Sequence, residues 1–333
     1  IYYNKLNPTK DFISFASFVS FFPQLVAGPI ERASNLLPQI LKKRNFIYNQ
    51  GVEGLRLILW GIFKKVIIAD NLSLFVNPIF ENYHDYNGGV LLLGLIYFSF
   101  QIYCDFSGYS DIAIGTSKLF GIELMHNFKF PYFSRNISEF WQRWHISLSS
   151  WFRDYLYIPL GGSRYGKWIS LRNVFIVFIV SGLWHGANWT FIAWGLLHAL
   201  FYIYLFIIVK NRKYNSTEIA EISFFPSFNE IFQMVITFTF VTLAWVFFRS
   251  ETLYDAWNYI NIIMFDFNIP DNNRLGLIFV LIIIIFDWIY KKKINGSVLD
   301  SNLKKNWIIC YLLGVIILLF SNQSSNSFIY FQF

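Results

Sequence analysis

The stretch Trp189-Thr-Phe-Ile-Ala-Trp-Gly-Leu-Leu-His-Ala-Leu-Phe-Tyr-Ile-Tyr-Leu-Phe-Ile-Ile-Val209 contains no Asp, Glu, Lys or Arg. As a helix it would extend about 30 Å, which is the thickness of the hydrocarbon core of a bilayer. Further apolar runs of this kind occupy residues 231–248, 275–290 and 307–320. The sequence therefore predicts a polytopic membrane protein.

The composition argues against a soluble enzyme. Of the 333 residues, 55% are hydrophobic and 14% are charged, whereas a typical soluble domain has roughly 25% charged residues. Cys104 and Cys310 lie in apolar spans far apart in the sequence, so neither a disulfide framework nor a metal site is expected. The chain begins at Ile1 without a signal peptide, and the simplest expectation is one integral-membrane domain over residues 1–333 with further spans upstream.

The distribution of charge predicts an orientation in the membrane. The predicted spans lie near residues 12–30, 52–69, 89–115, 172–186, 189–209, 231–248, 275–290 and 306–320. Basic residues cluster in the alternate loops 32–44, 118–172, 210–213 and 291–305, which the positive-inside rule places in the cytoplasm. The acidic segment 70–88 and the uncharged segment 321–333 are then expected outside. Orientation and anionic membrane lipids account for the net charge of +7, so nucleic acid is not an expected partner.

The middle of the chain, residues 118–168, is aromatic and yet strongly polar, so it cannot face lipid throughout. Trp141 and His145 are four residues apart, as are Ser149 and Arg153, and a helix would gather His145 and a guanidinium on one side. Such a cationic cavity near the cytoplasmic face would suit an anionic ligand. The alternative is an amphipathic interfacial helix whose arginines meet lipid phosphates.

Two carboxylates, Asp105 and Asp111, lie within a predicted span. Because an unpaired carboxylate in lipid is costly, both are expected to pair with cations, cap helix ends or line the cavity. Pairing with the basic segment 118–172 is the simplest of these readings. Neither residue has a ligand partner at helical spacing, so a metal site is not indicated.

The sequence predicts different roles for the individual histidines. His84 and His126 are expected to be solvated or structural, and His198 to make a hydrogen bond in the protein core. His185 lies between two apolar aromatic runs, which makes it a candidate functional residue. A neutral imidazole can take a proton from a hydroxyl and return one to a thiolate, the chemistry that acyl transfer from a thioester needs. A purely structural histidine remains the alternative.

The neighbours of His185 suit that chemistry. Asn188, Trp184 and Trp189 are placed to orient the imidazole ring and to exclude water from a reactive thioester.

Five motifs in order resemble those of the membrane-bound O-acyltransferase family, in particular its bacterial alginate and polysaccharide O-acetyltransferase branch, with the teichoic acid D-alanylation branch as a cousin. They are FPQLVAGPI at 22–30, CDFSGYSD at 104–111, FWQRWHISLS at 140–149, FRDYLYIPLGG at 152–162 and GLWHG at 182–186. The closing FIYFQF at 328–333 resembles the C-terminus of the same branch.

The resemblance implies an all-α helical bundle around a central tunnel, with interfacial or re-entrant helices in the middle, in the bacterial cytoplasmic membrane. Acetyl-CoA or another acyl thioester would be the cytoplasmic donor, and no cofactor would be needed. An extracytoplasmic polysaccharide would be the acceptor. A separate partner with a serine-hydrolase-like extracytoplasmic domain would finish the transfer. A conduit or scaffold without chemistry is the alternative function class.

The resemblance also implies roles for single residues. His185 matches the principal catalytic histidine of the family and His145 its second functional histidine. Arg143, Arg153 or Lys167 would meet the phosphates of the donor, and Trp184, Asn188 and Asp105 complete the predicted substrate site. Tyr330, the one hydroxyl in the closing hexapeptide, would relay the acyl group as an aryl ester. The alternative is that this tail only anchors a partner.

Overall fold

The computed structural model of the chain describes residues 9–209, 219–220, 224–270, 272–291 and 303–321, without the side chains of 208–209 and 303–307. Within these ranges all regular structure is helical. The α-helices are α1 Phe12–Val19, α2 Ala33–Leu41, α3 Tyr48–Ile62, α4 Asp70–Glu81, α5 Gly88–Leu119, α6 Ile137–Arg143, α7 Ile146–Phe152, α8 Lys167–His185, α9 Trp189–Tyr204, α10 Phe228–Arg249, α11 Leu253–Phe265, α12 Gly276–Tyr290 and α13 Leu303–Phe320. The prediction of an all-α membrane bundle is confirmed.

Four helices in the described part of the chain are long and apolar enough to cross a membrane. They are α5, α8, α10 and the stretch Trp189–Ile207, which continues α9 into a π-helical segment. The predicted spans near 89–115, 172–186, 189–209 and 231–248 therefore correspond to single helices. The protein is a multi-pass membrane protein.

Two predicted spans have a different structure. The run 12–30 is interrupted, because α1 ends at Val19 and a short 3₁₀ turn, Phe22–Gln24, follows it. The run 52–69 belongs to a longer helical stretch, in which α3 passes through the π-helical segment Phe63–Ala69 directly into α4. The segment 70–88, predicted as a loop, is thus mostly helical.

Helix α5 is the centre of the bundle. It has 32 residues, and its apolar residues lie on all sides, as is typical of a helix surrounded by other helices. It packs against α3, α4, α10, α11 and α12. Phe98, Ile102 and Cys104 on this helix are fully buried.

Helices α3 and α5 touch at two pairs of glycines. A Cβ atom on Gly61 would lie 2.5 Å from the carbonyl oxygen of Gly108, and one on Gly108 would lie 2.7 Å from that of Gly61. Gly54 and Gly115 make the same reciprocal contact one heptad away, at 2.6 and 2.5 Å. Small residues at such crossings let two membrane helices pack backbone against backbone.

Ion pairs join the same helices. The Lys64 ammonium lies 2.6 Å from an Asp111 carboxylate oxygen, and Lys65 lies 2.8 Å from oxygens of both Asp105 and Asp70. The expected pairing of Asp105 and Asp111 with cations is confirmed, but the partner segment was predicted wrongly. The cations come from the π-helical segment after α3 and not from 118–172, because the glycine contacts bring that segment against α5.

We predict that Gly108→Ala destabilises the protein. The added methyl group would collide with the Gly61 carbonyl and push α3 away from α5, at a cost of about 1–3 kcal/mol. Thermal unfolding of the detergent-solubilised variant should show a lower midpoint than the wild type. Gly314→Ala on α13 is the matched control, since a Cβ there meets nothing within 4 Å. Equal midpoints for the two variants would contradict the proposed packing.

Candidate active site

His185 is the last residue of α8, and close helix packing sets its position. A Cβ atom on Gly182 would collide with the backbone carbonyl oxygen of Phe191, and one on Gly195 with that of Phe178. Helices α8 and α9 therefore meet backbone to backbone. The sharp turn between them returns the chain past His185, so that the first turns of α9 lie beside the imidazole.

The imidazole of His185 is half-buried among aromatic rings from three helices. Its ring centroid lies 4.9 Å from that of Trp184 on α8, 5.2 Å from that of Trp194 on α9 and 5.0 Å from that of Phe248 on α10. The surroundings are apolar, yet the ring is partly accessible. A group in such a place can exchange a proton with a bound molecule while little water surrounds it.

His145 lies in a break between two short helices. The predicted helix is interrupted between Trp141 and His145, because α6 ends at Arg143 and α7 begins at Ile146, whereas Ser149 and Arg153 lie in one continuous helical stretch. His145 itself has a φ of 43°, in the left-handed region. The backbone carbonyl of Asn127 accepts a hydrogen bond from the Ile146 amide at 3.0 Å and holds the break in place.

This unusual backbone directs the His145 side chain into the protein. The ring is 4% exposed and packs edge-on against Phe106 at 4.5 Å between centroids. Burial lowers the pKa of His145 well below its usual value, and the neighbouring His185 acts in the same direction. His145 is therefore neutral at physiological pH. Non-glycine residues held in this conformation cluster at functional sites.

Trp184 connects the two histidines. Its ring centroid lies 6.2 Å from that of His145 and 4.9 Å from that of His185. The Trp184 side chain is itself half-exposed. The structure thus brings together three of the residues predicted from the sequence, although α7 and α8 are separated by 14 residues of chain.

Asn188 has a structural role in the described geometry. Its side-chain oxygen accepts a hydrogen bond from the Thr190 amide at 3.1 Å and caps α9. Its side-chain nitrogen donates to the Glu251 carbonyl at 2.9 Å. Asn188 therefore fixes the start of α9 to the loop before α11. Asn188 affects His185 by fixing the position of α9.

The two predicted arginines have different environments. Arg143 donates to Glu139 at 2.8 Å, and Glu139 is also paired with the buried Arg135 at 2.9 Å. The Arg153 side chain is 64% exposed and lies 2.9 Å from Asp154. Burial raises the pKa of Asp154, but hydrogen bonds from Arg153 and Arg32 outweigh this and hold it below its usual value.

Arg153 lies at the edge of a cavity of about 330 Å³. The lining residues are Trp141, Leu148, Ser149, Phe152, Arg153, Tyr157, Ser163, Val174, Val177, Phe178, Ser181 and Tyr202. Most are apolar or aromatic, and Arg153 supplies the positive charge. Ser181 on α8 is one helical turn before His185, so the cavity reaches towards the histidine from the α6–α8 side.

Asp105 does not line this cavity. It is 2% exposed and pairs with Lys65. The structure therefore places it in the α3–α5 contact. Tyr330 and the segment 328–333 lie outside the described residues.

The prediction that His198 makes a hydrogen bond in the core is wrong for the described part of the chain. The ring is fully buried on α9, and neither nitrogen has a hydrogen-bond partner there. Trp194 and Trp141 pack against it at 4.9 and 5.0 Å between centroids. Neither tryptophan was predicted as a site residue. The spacing of four between Trp194 and His198 is the one sequence signal that links them.

A model of the membrane-bound O-acyltransferase family matches residues 5–237, which include both histidines of this site. The chain belongs to the membrane-bound O-acyltransferase family. The resemblance given by the sequence motifs is thereby confirmed, including the bacterial alginate and polysaccharide O-acetyltransferase branch.

Several curated relatives are similar to this member of the family. The chain is 44% identical over 259 residues to the peptidoglycan O-acetyltransferase of Helicobacter pylori, covering 75% of this chain and 47% of the relative. It is 42% identical over 257 residues to a probable alginate O-acetylase of Pseudomonas syringae, covering 77% and 47%. It is 32% identical over 252 residues to the teichoic acid D-alanyltransferase of Bacillus subtilis, covering 70% and 60%. The chain spans about half the length of the first two.

We predict that the neutral state of His145 makes the stability of this O-acyltransferase family member depend on pH. The unfolded chain binds a proton at His145 below about pH 6.5 while the folded protein does not, so stability falls as the pH is lowered. Between pH 6.5 and pH 5 the loss is at most about 2 kcal/mol. Thermal unfolding at pH 7.5 and pH 5 measures it.

His145→Asn is the control for this measurement. Asparagine tolerates the left-handed backbone and does not titrate in this range. The variant should therefore lose less stability than the wild type on acidification. The same loss in both proteins would contradict the prediction, since the pH dependence would then come from groups other than His145.

Proposed function

We propose that this protein is an O-acyltransferase that moves a short acyl group, an acetyl group, from a cytoplasmic acyl thioester to an extracytoplasmic polysaccharide. The observation that carries the proposal is the half-buried imidazole of His185 in its aromatic enclosure. Trp184 joins it to the neutral His145. Membership of the family supports the reaction class.

In the proposed reaction, His185 acts as a general base and then as a general acid. Its neutral nitrogen takes the proton of an acceptor hydroxyl, and the hydroxyl oxygen attacks the carbonyl carbon of the thioester. The carbon–sulfur bond breaks, and the proton passes from His185 to the leaving thiolate. The rings of Trp184, Trp194 and Phe248 limit the access of water, which would otherwise hydrolyse the thioester.

The donor is proposed to enter through the 330 Å³ cavity. The positive-inside rule favours a cytoplasmic position for the basic segment 118–172 that supplies Arg153. The exposed Arg153 guanidinium is suited to a phosphate of the donor. Arg143 is less suited, because Glu139 already binds it. In this proposal the expected central tunnel would lead from this cavity to the outside.

The acceptor and the partner are inferred from the relatives. The names of the two O-acetyltransferase relatives specify peptidoglycan and alginate, so we propose a cell-envelope polysaccharide as acceptor. A separate partner with a serine-hydrolase-like extracytoplasmic domain would complete the transfer, and the protein would lie in the bacterial cytoplasmic membrane. D-alanyl transfer to teichoic acid is the second candidate function, favoured by the 32% identity to a teichoic acid D-alanyltransferase.

We predict that His185→Ala lowers acyl transfer by about 10²–10⁴-fold, the usual contribution of a general base. Membranes containing the protein are supplied with radiolabelled acetyl-CoA, and label in the polysaccharide fraction is counted. His84→Ala is the control, since His84 is exposed. Turnover near the wild-type rate in a folded His185→Ala variant would disprove the catalytic role and favour a conduit. Transfer of D-alanyl but not acetyl label would favour the second candidate.

We predict that Tyr330→Phe stops polysaccharide acylation while partner binding is kept. The phenol is a poor nucleophile until a base takes its proton, but the phenolate that leaves when its ester is attacked is a better leaving group than an alkoxide. Phenylalanine keeps the ring and removes the oxygen. Labelled polysaccharide and co-purification of the partner are measured together. Full acylation by the variant would rule out the relay and leave the tail an anchoring role.

A further inference from the structure

Three side chains between α6 and α9 have buried ring nitrogens without a hydrogen-bond partner among the described residues. They are Trp141, Trp194 and His198. The three rings contact one another, with centroid distances of 5.0 Å, 4.9 Å and 5.8 Å. We call them the indole–imidazole cluster. Buried polar groups in proteins almost always make hydrogen bonds, so each of these nitrogens is expected to have a partner.

The cluster has more donors than acceptors. Each indole offers one N–H donor and no acceptor, and a neutral imidazole offers one donor and one acceptor. Even if an indole of Trp141 or Trp194 bonded to the acceptor nitrogen of His198, two N–H groups would remain. The missing partner must therefore offer acceptor atoms.

A carbonyl oxygen fits this requirement better than a water molecule. A buried water needs acceptors for its own hydrogens as well as donors for its lone pairs, and typically makes about three hydrogen bonds. The cluster provides only the second nitrogen of His198 as an acceptor. A carbonyl oxygen accepts two hydrogen bonds and donates none.

The cluster lies between the cavity and His185. Trp141 lines the 330 Å³ cavity, as does Phe178, whose ring centroid is 6.1 Å from that of His198. On the other side, Trp194 contacts His185 at 5.2 Å. A ligand that extends from the cavity to His185 must pass these rings, and a turn of the Trp141 ring would expose the enclosed nitrogens to it.

The position of His198 identifies which carbonyl is bound. His198 is one turn further along α9 than Trp194, a rise of about 6 Å. The thioester carbonyl must lie beside His185, so the cluster meets a carbonyl further along the donor. In a coenzyme A-type thioester the first amide lies two methylene groups beyond the sulfur.

We propose that the indole–imidazole cluster binds the first amide carbonyl of the donor's arm through the N–H groups of Trp141 and His198. The site rests on the acyl transfer proposed above and makes the protein selective for amide-bearing thioesters over simple alkyl thioesters. Trp141 and His198 are specificity residues in this proposal.

The test compares two acetyl donors in membranes that contain the protein. The acetyl thioester of N-acetylcysteamine ends just beyond the first amide, and S-propyl thioacetate has no amide. Trp141→Phe should raise the KM for the first donor by about five- to tenfold, the loss expected for one hydrogen bond, with kcat little changed. The KM for S-propyl thioacetate should not change.

Further variants make the result specific. His198→Phe keeps a ring in place, removes both nitrogens and should give the same selective rise in KM, so it replaces Trp141→Phe if that variant does not fold. Trp60→Phe is the control, because it makes the same exchange at a buried tryptophan that packs against Phe63 and Phe286 on another part of the bundle.

Equal changes in KM for both donors, or none for either, would overturn the amide site and leave the acyl transfer intact. Wild-type membranes that use neither of these donors nor acetyl-CoA would overturn the transfer itself, and the site with it.

Discussion

The contact between α3 and α5 is the constraint on which the rest of the bundle depends. The paired glycines allow the two backbones to touch, and this brings Lys64 and Lys65 within ion-pair distance of Asp111 and Asp105. Charges at this depth are tolerated only in pairs, and removal of one partner of a buried pair costs about 3–5 kcal/mol. The glycine contacts therefore position the ion pairs, and the ion pairs allow these charges to be buried where the two helices touch.

A fixed α5 in turn supports the site. Phe106 of α5 packs against His145, and Tyr103 of the same helix packs against Trp144 at 6.2 Å between centroids. The break at His145 is thus held by the packing of Phe106 on α5 and by the hydrogen bond to the Asn127 carbonyl. The two histidines differ in their support: His145 is enclosed by a non-local contact, whereas His185 is set by the local turn between α8 and α9.

The sequence was sufficient for the features that depend on composition. Long apolar runs predicted α5, α8, α9 and α10, because the bilayer imposes a length and excludes unpaired backbone groups. The motifs predicted that His145 and His185 belong to one site. Their proximity through Trp184 could not be derived from spacing, since it requires that α6 and α7 fold back against the end of α8.

Other features depend on contacts between distant residues, and these were missed. The partners of Asp105 and Asp111 come from a segment some 40 residues earlier in the chain. The spacing of Trp141 and His145 suggested a helix, but the backbone amide after His145 bonds to Asn127 instead. An isolated histidine in an apolar run, such as His198, gives no sign in the sequence of whether a partner will reach it.

The backbone contact between α8 and α9 has a consequence for motion. At Gly182 and Gly195 no side chains separate the two helices, so sliding of one past the other would drive neighbouring side chains into the opposite backbone. Shear movements of the kind that open many helical proteins are therefore disfavoured at these two contacts. Access to His185 must instead depend on rotations of single rings, above all the half-exposed Trp184. Such rotations take picoseconds to nanoseconds at exposed positions, which is far faster than helix displacement.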